Sequence, residues 1–391
     1  MRELVVNAVP SGPYFYFVNY LNHPSFTPQT MTGLLDYLTQ GSRIFLSSLK
    51  TKIAPKKYPG TANEICTQIV KECWNGRYFQ TSTQNFPHFW TRDFGWCTAS
   101  LLKLGYQKEV QHTLRFALNV FSQHGKITTT ITPGGKPFDF PTMAVDSLPW
   151  LLHSIKLSKI PYLAYHDFLN KEIARFYKEI INPITGLVRP DKNFSSMKDL
   201  SKRKSSCYDN CLVAMLAQDL ESLKLDNPFP KADYPALIKK HFWNEKFFFD
   251  DLSQQDYIAG DANLFPFVLG IISDKEMMIA AINVIRAEKL DEPLPLRYTA
   301  SRQGIPFIWE EKLFLRNYEG NTCWTHMGLL YVKLMQQIDP ALAEEYKKKY
   351  AEAIEKYKGF MEVYNANGTP YSSWCYTADR SMLWAANYVT L

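Results

Sequence analysis

Residues 93–105, Asp93-Phe94-Gly95-Trp96-Cys97-Thr98-Ala99-Ser100-Leu101-Leu102-Lys103-Leu104-Gly105, open on a helix-capping residue type, run strongly apolar and stop at a glycine. The same grammar recurs at Asp146 (DSLPWLLHSI), Asp209 (DNCLVAMLAQDL), Asp261 (DANLFPFVLGII), Asn321 (NTCWTHMGLLYVKL) and Asp379 (DRSMLWAANYV), at spacings of 53, 63, 52, 60 and 58 residues. Between these starts lie more amphipathic stretches, roughly 61–74, 107–123, 161–179, 230–242, 274–289 and 339–361. A helix apolar on every side belongs inside a fold, and one with a single apolar stripe belongs outside. Six such pairs predict an all-α (α/α)6 toroid over residues 59–391, with six inner helices starting at one rim. The repeat is architectural, because no residue-level repeat of the solenoid kind accompanies it. Residues 1–58 read as a short accessory segment, with an aromatic, proline-punctuated start, a helix over 31–49 and a closing Ala54-Pro55-Lys56-Lys57-Tyr58-Pro59-Gly60.

The 391 residues are 46% hydrophobic, enough to bury a large core and to exclude global disorder. A formal net charge of +6 is too mild for a nucleic-acid binder, and runs such as Lys202-Arg203-Lys204 sit among polar neighbours as solvated faces do. The aromatic share of 15%, from 25 Phe, 23 Tyr and 9 Trp, exceeds what a helical core requires and suggests a lined cavity for an uncharged ligand that stacks, such as a sugar. Cysteines 66, 73, 97, 207, 211, 323 and 375 form no C-x-x-C pair, which points to reduced thiols rather than zinc ligands or a disulfide framework. The eight histidines are scattered, so no metal and no cofactor is expected. The first residues lack a signal-peptide pattern and no stretch reaches the ~18 apolar residues of a membrane helix, so the expectation is a cytoplasmic protein with no membrane or nucleic-acid partner.

An aspartate at a helix start is an ordinary cap, but six inner helices starting at one rim would converge their carboxylates and aromatics on one funnel. Phe89-Trp90-Thr91-Arg92-Asp93-Phe94-Gly95-Trp96 places a guanidinium fork and a carboxylate between tryptophans, a combination suited to sugar hydroxyls. Trp-x-Arg-Asp leading to Leu-x-x-Gly-Tyr at 102–106 resembles the second helix of (α/α)6-barrel glycoside hydrolases. That group contains glucoamylases, trehalases, neutral invertases, glycogen-debranching amylo-α-1,6-glucosidases and mannosylglycerate or glucosylglycerate hydrolases. The resemblance implies that Arg92 and Asp93 grip the sugar in the −1 subsite.

Glu362, ahead of the Asn365-Ala366-Asn367-Gly368 turn and Pro370, resembles the Glu-x-Tyr segment whose glutamate is the catalytic base in trehalases and glucoamylases. Inversion also needs a general acid, about 6.5–9.5 Å from the base. Three aspartates compete. Asp209, in Ser205-Ser206-Cys207-Tyr208-Asp209-Asn210, resembles the acid segment of trehalase-like enzymes, without their Glu-Ser-Gly and with Lys204 nearby to lower its pKa. Asp146, in Val145-Asp146-Ser147-Leu148, resembles the corresponding neutral-invertase segment, and Asp191 lies in the loop 187–191. Trp90, Tyr208, Asp261, Asn263, Trp324, His326 and Trp374 complete the predicted substrate contacts, with Trp324 in a Gly-x-x-x-Trp element that resembles the pocket lining of debranching enzymes.

The expectation is therefore an inverting hydrolase of an α-glycosidic bond in a small glucoside or disaccharide. A sugar epimerase of the N-acylglucosamine 2-epimerase type shares the toroid but works through paired histidines. A sugar-binding toroid without catalysis would tolerate loss of Glu362.

Overall fold

A computed structural model describes residues 28–229 and 232–391, with side chains from residue 39 onward. The predicted proline-punctuated start and the first two residues of the stretch 230–242 lie outside the described residues. The helices are α1 (Pro28–Ile53), α2 (Ala62–Cys73), α3 (Thr91–Lys103), α4 (Gln107–His124), α5 (Ser147–Ser158), α6 (His166–Ile180), α7 (Cys207–Leu223), α8 (Tyr234–Phe242), α9 (Phe265–Val268), α10 (Lys275–Ala287), α11 (Trp309–Leu313), α12 (Thr325–Met335), α13 (Pro340–Tyr357) and α14 (Ala385–Val389). α3 packs on α5, α5 on α7, α7 on α9, α9 on α12, α12 on α14, and α14 back on α3, which closes the inner ring. The outer layer is α2, α4, α6, α8, α10 and α13. This is the (α/α)6 toroid that the sequence periodicity predicts.

The two layers differ as their sequences require. α7 buries residues on every face, from Cys207 and Tyr208 through Leu212, Val213 and Leu216. α13 buries only Ala343, Tyr346, Tyr350 and Ile354, one stripe at helical spacing. Capping separates them too. Thr61 and Glu64 form a reciprocal capping box on α2, and Asp233, Asp274 and Asp339 each accept from backbone N–H groups at the starts of α8, α10 and α13. Among the inner helices only α7 has a side-chain cap, from Ser206. Asp93 lies in the first turn of α3, Asp209 in that of α7, and Asp146 precedes α5 without making a cap bond. Their carboxyls are thus left for other partners.

Close packing around the inner helices demands small residues. A Cβ on Gly95 of α3 would sit 2.6 Å from the Trp150 Cβ of α5, and one on Gly328 of α12 would sit 2.1 Å from the Pro295 carbonyl oxygen. The later inner helices are shorter than the sequence predicts. α9 spans only Phe265–Val268, bounded by Pro266 in its first turn and by Gly270 at φ +66°. α14 starts at Ala385 rather than at Asp379, because the Asp379 carboxylate accepts from the Ser381 N–H and Oγ and holds residues 379–381 in a turn that competes with helix.

Two small antiparallel sheets stand at the rim. β1 (Phe89–Trp90) pairs with β2 (Thr130–Ile131), which pairs with β3 (Pro137–Phe138). β4 (Cys323–Trp324) pairs with β5 (Val363–Tyr364), so Trp324 faces Val363 in the register. α1, longer than the predicted 31–49, braces the same rim. Ser48 donates to the Thr377 carbonyl at 3.0 Å, Lys52 to that of Ser373 at 3.2 Å, and Arg43 to that of Asn85 at 3.1 Å.

Candidate active site

The rim encloses a cavity of about 970 Å³, lined by Trp90, Arg92, Asp93 and Trp96 from β1 and α3, by Trp324 and His326 from β4 and α12, and by Glu362, Tyr376 and Trp384 from the C-terminal unit. Met197, Asp199 and Leu200, from the segment joining α6 to α7, line it as well, with Tyr318 and Glu319.

Arg92 is the electrostatic centre of this wall. Its Nε lies 3.4 Å from Asp93 Oδ2, and its Nη1 lies 3.6 Å from Asp146 Oδ2 and 4.0 Å from Asp199 Oδ1. Its guanidinium carbon is 5.3 Å from the Trp96 ring centroid and 5.6 Å from that of Trp90. Burial works against the charge, but Asp93, Asp146 and Asp199 outweigh it and raise the guanidinium pKa. Asp93 accepts from Trp384 Nε1 at 3.0 Å, and burial raises its pKa against the pull of Arg92.

Glu362 is placed by the β4–β5 pair and by a parallel connection to the last unit. Its N–H donates to the Asp379 carbonyl at 2.9 Å, and its carbonyl accepts from the Thr325 N–H at 3.3 Å. The carboxylate, 2% exposed as a residue, accepts from Tyr318 Oη on one oxygen. The other accepts from Tyr376 Oη at 2.5 Å and from the Asp379 N–H at 3.0 Å. Burial pushes its pKa up to about 7, against the three donors.

Asp199 was not among the residues singled out from the sequence. Its side chain is 27% exposed and borders the cavity. Glu319 fixes its backbone, accepting from the Asp199 N–H at 2.6 Å, the Leu200 N–H at 2.8 Å and Ser201 Oγ at 3.1 Å. Burial, with Glu319, Asp146 and Asp93 adding to it and Arg92 opposing, holds the Asp199 carboxyl well above the usual range. His326 stacks on Trp96, with centroids 4.2 Å apart, and neither ring nitrogen has a hydrogen-bond partner among the described residues. Burial and then Arg92 lower its pKa, so it is neutral and presents one donor and one acceptor.

The structure brings Trp90, Arg92, Asp93, Trp324, His326, Glu362 and Trp374 to this one cavity. Other predicted site residues lie behind its wall. Asp146, 1% exposed, accepts from the Met197 N–H at 3.1 Å and reaches the cavity only through Arg92; burial, partly offset by Arg92, raises its pKa to about 7. Asp209, 4% exposed, has burial raising its pKa to about 6, opposed chiefly by Arg203 rather than by Lys204. Asp261 is fully buried, 2.7 Å from Lys198 Nζ and 3.1 Å from Arg203 Nη1. Asn263 bonds the backbone of Phe248 through both ends of its amide, and Tyr208 is a core residue that accepts from Trp150 Nε1. Asp191 is exposed and bonded to Arg189.

Among the described residues no group of three or more His, Cys, Asp and Glu is placed to hold a metal ion, and no helix is long and apolar enough to cross a membrane.

No family model and no curated protein matches the sequence. Solved structures do match the fold, and several of them are glycoside hydrolases with the (α/α)6 barrel. A GH63 mannosylglycerate hydrolase from Thermus thermophilus in complex with glucose aligns over 84% of this chain and 98% of its own, at 10% identity and TM-score 0.55. A rhamnosidase from Klebsiella oxytoca with rhamnose bound aligns over 85% of this chain at 9% identity and TM-score 0.57, and the chain spans 65% of that protein's length. A bacterial glucoamylase complexed with acarbose aligns over 84% of this chain and 54% of its own, at 13% identity and TM-score 0.54. The chain thus has the six-hairpin toroid of these glycosidases.

Proposed function

We propose that the chain is an inverting glycoside hydrolase that cleaves an α-glycosidic bond in a small glycoside, its barrel at 59–391 carrying the site and 1–58 acting as an accessory segment. The observation that carries this reading is one cavity shared by Glu362, Asp199 and the Arg92–Asp93 pair. Glu362, held by two phenols and a backbone N–H, is the base that activates water. Asp199, whose pKa is raised by burial and by the Glu319, Asp146 and Asp93 carboxyls around it, is the acid that protonates the leaving oxygen. Arg92, Asp93 and His326 bind the hydroxyls of the sugar in the −1 subsite, and Trp90 and Trp324 supply apolar faces. The fold shared with enzymes crystallised with glucose and rhamnose supports a small carbohydrate substrate. His326 is the one histidine among the described lining residues, and the two-histidine chemistry of an epimerase finds no second partner among them.

The test follows anomeric protons by NMR from the first minutes, with trehalose, sucrose, maltose, isomaltose, glucosylglycerate and α-rhamnosides. The expected result is β-anomer release by the wild type and none by Glu362→Gln. Asp199→Asn should lose about 10²–10⁴-fold on alkyl glycosides and far less on dinitrophenyl glycosides, whose leaving group needs no proton. That leaving-group dependence appearing in Asp209→Asn or Asp146→Asn instead would move the acid to one of them. Turnover unaffected by Glu362→Gln would refute the two-carboxylate mechanism.

A further inference from the structure

The cavity changes character along its length. Its inner end carries Arg92, Asp93, Asp199, His326 and Glu362, whereas its outer part is lined by Ile44, Phe45 and Leu46 of α1 and by Phe86, Leu315 and Trp374. These outer side chains are apolar and several are open to solvent: Phe45 is 40% exposed, Leu46 62% and Trp374 66%. Trp374 is fixed, not splayed, since its Nε1 donates to the Leu313 carbonyl at 3.1 Å and its ring packs on Phe314 with centroids 5.6 Å apart. α1 is tied down on both sides of this patch by Arg43 and Ser48. A solvent-open apolar patch continuous with a polar pocket marks a surface that a ligand covers.

The chemistry of that ligand is constrained further. A second sugar or a glycerate seated against Phe45, Leu46 and Trp374 would bring hydroxyls to two side chains with no polar atom and a third whose Nε1–H is already given to the Leu313 carbonyl, and unpaired hydroxyls disfavour binding. A carboxylate would also lack a free counter-charge, since Arg92 is the one cation among the described lining residues and is already engaged by Asp93, Asp146 and Asp199.

Resting on the hydrolase reading above, we infer that the leaving group of the natural substrate is a neutral, apolar, ring-bearing aglycone seated against Phe45, Leu46 and Trp374, with the sugar on Arg92–Asp93. In the hydrolytic step the C–O bond to that aglycone breaks, its oxygen takes the acid's proton, and water supplies the hydroxyl on the sugar while its own proton passes to Glu362. The product is a free sugar and an apolar alcohol.

Methyl and 2-phenylethyl glycosides of glucose, mannose and rhamnose test this, since both leave as simple alcohols and differ in the ring. Binding is read by tryptophan fluorescence on Glu362→Gln, and hydrolysis by NMR on the wild type. The expected result is a preference for the 2-phenylethyl glycoside of about 10- to 100-fold in Kd and in kcat/KM, the range that burial of one phenyl ring supplies. It should fall below about 5-fold in Phe45→Ser/Trp374→Ser, a variant at exposed positions whose folding is checked by its melting temperature. Hydrolysis with equal treatment of the two series would overturn the aglycone assignment and leave the glycosidase standing. A binding preference with no hydrolysis of any glycoside would keep the apolar subsite and overturn the glycosidase. Failure of both series to bind would overturn the inference.

Discussion

Replacing Glu362 by glutamine should abolish turnover and at the same time stabilise the fold above neutral pH. The folded carboxyl, buried among Tyr318, Tyr376 and the Asp379 N–H, has its pKa raised by burial from 4.5 to about 7. The folded state therefore holds a proton that the unfolded chain releases from about pH 4.5 upward. Stability falls as pH rises through that interval and levels off above about 7. Integrated between pH 5 and pH 8, the wild type loses about 2–3 kcal/mol from this one group. Glutamine does not titrate, and its amide can accept from Tyr376 and the Asp379 N–H while donating to Tyr318, so the variant escapes the loss without orphaning a partner. With unfolding entropy of roughly 2 cal/mol/K per residue, a chain of 391 residues turns that difference into about 3 °C. The assay is calorimetry of both proteins across pH 5 to 8. Melting temperatures within about 1 °C at pH 5 and a variant about 3 °C higher at pH 8 are expected. A gap that stays constant across the range would refute the claim that Glu362 is buried at the expense of its charge.

Two further outcomes follow from the same geometry. With Glu362 as the proposed base, kcat/KM should show a rising limb near pH 7, and Tyr376→Phe, which removes a donor that holds the carboxylate pKa down, should move that limb to higher pH; an unmoved limb would separate Tyr376 from the base. Gly95→Ala places a Cβ 2.6 Å from that of Trp150 and should cost about 1–3 kcal/mol through overpacking, read as a melting temperature lower by a few degrees, whereas an unchanged melting curve would show that α3 and α5 are not in close contact.

The toroid was legible because burial on all faces and burial on one face leave different periodicities; the first three inner helices start within two residues of the predicted positions, and the last three start four to six residues later. The polar wall was legible only where local sequence sets it. Arg92 and Asp93 lie in the first turn of one helix, and Glu362 lies one residue before the strand that pairs with Trp324, so short motifs place them at the rim. Asp199 had no such signal. It stands in an irregular segment between α6 and α7, and what orients it is Glu319, 120 residues away. Asp209 shows the converse. Its motif is local, but Lys198 and Arg203 fold inward to meet Asp250 and Asp261, and that buried ionic layer takes the place that the motif alone would give to a substrate.

The aspartates that open the inner helices explain how such a wall can serve acid–base chemistry. Unlike Asp233, Asp274 and Asp339 in the outer layer, Asp93, Asp146 and Asp209 make no cap bond to their own helices. Buried, Asp93, Asp146, Asp199, Asp209, Glu319 and Glu362 share too few cations, with Arg92 and Arg203 already surrounded. Burial then raises all six, to about 7 for Asp146, Glu319 and Glu362 and about 6 for Asp209. A cluster in that condition stores protons at neutral pH. On the proposed hydrolase reading the donating group is selected by access: of the carboxyls that crowd Arg92, Asp199 is the one with substantial exposure to the cavity, and Glu319 fixes its backbone. Acid–base chemistry would then be a property of the rim as a whole, in which Asp93, Asp146 and Asp209 do not cap their own helices and the α6–α7 segment presents the accessible carboxyl.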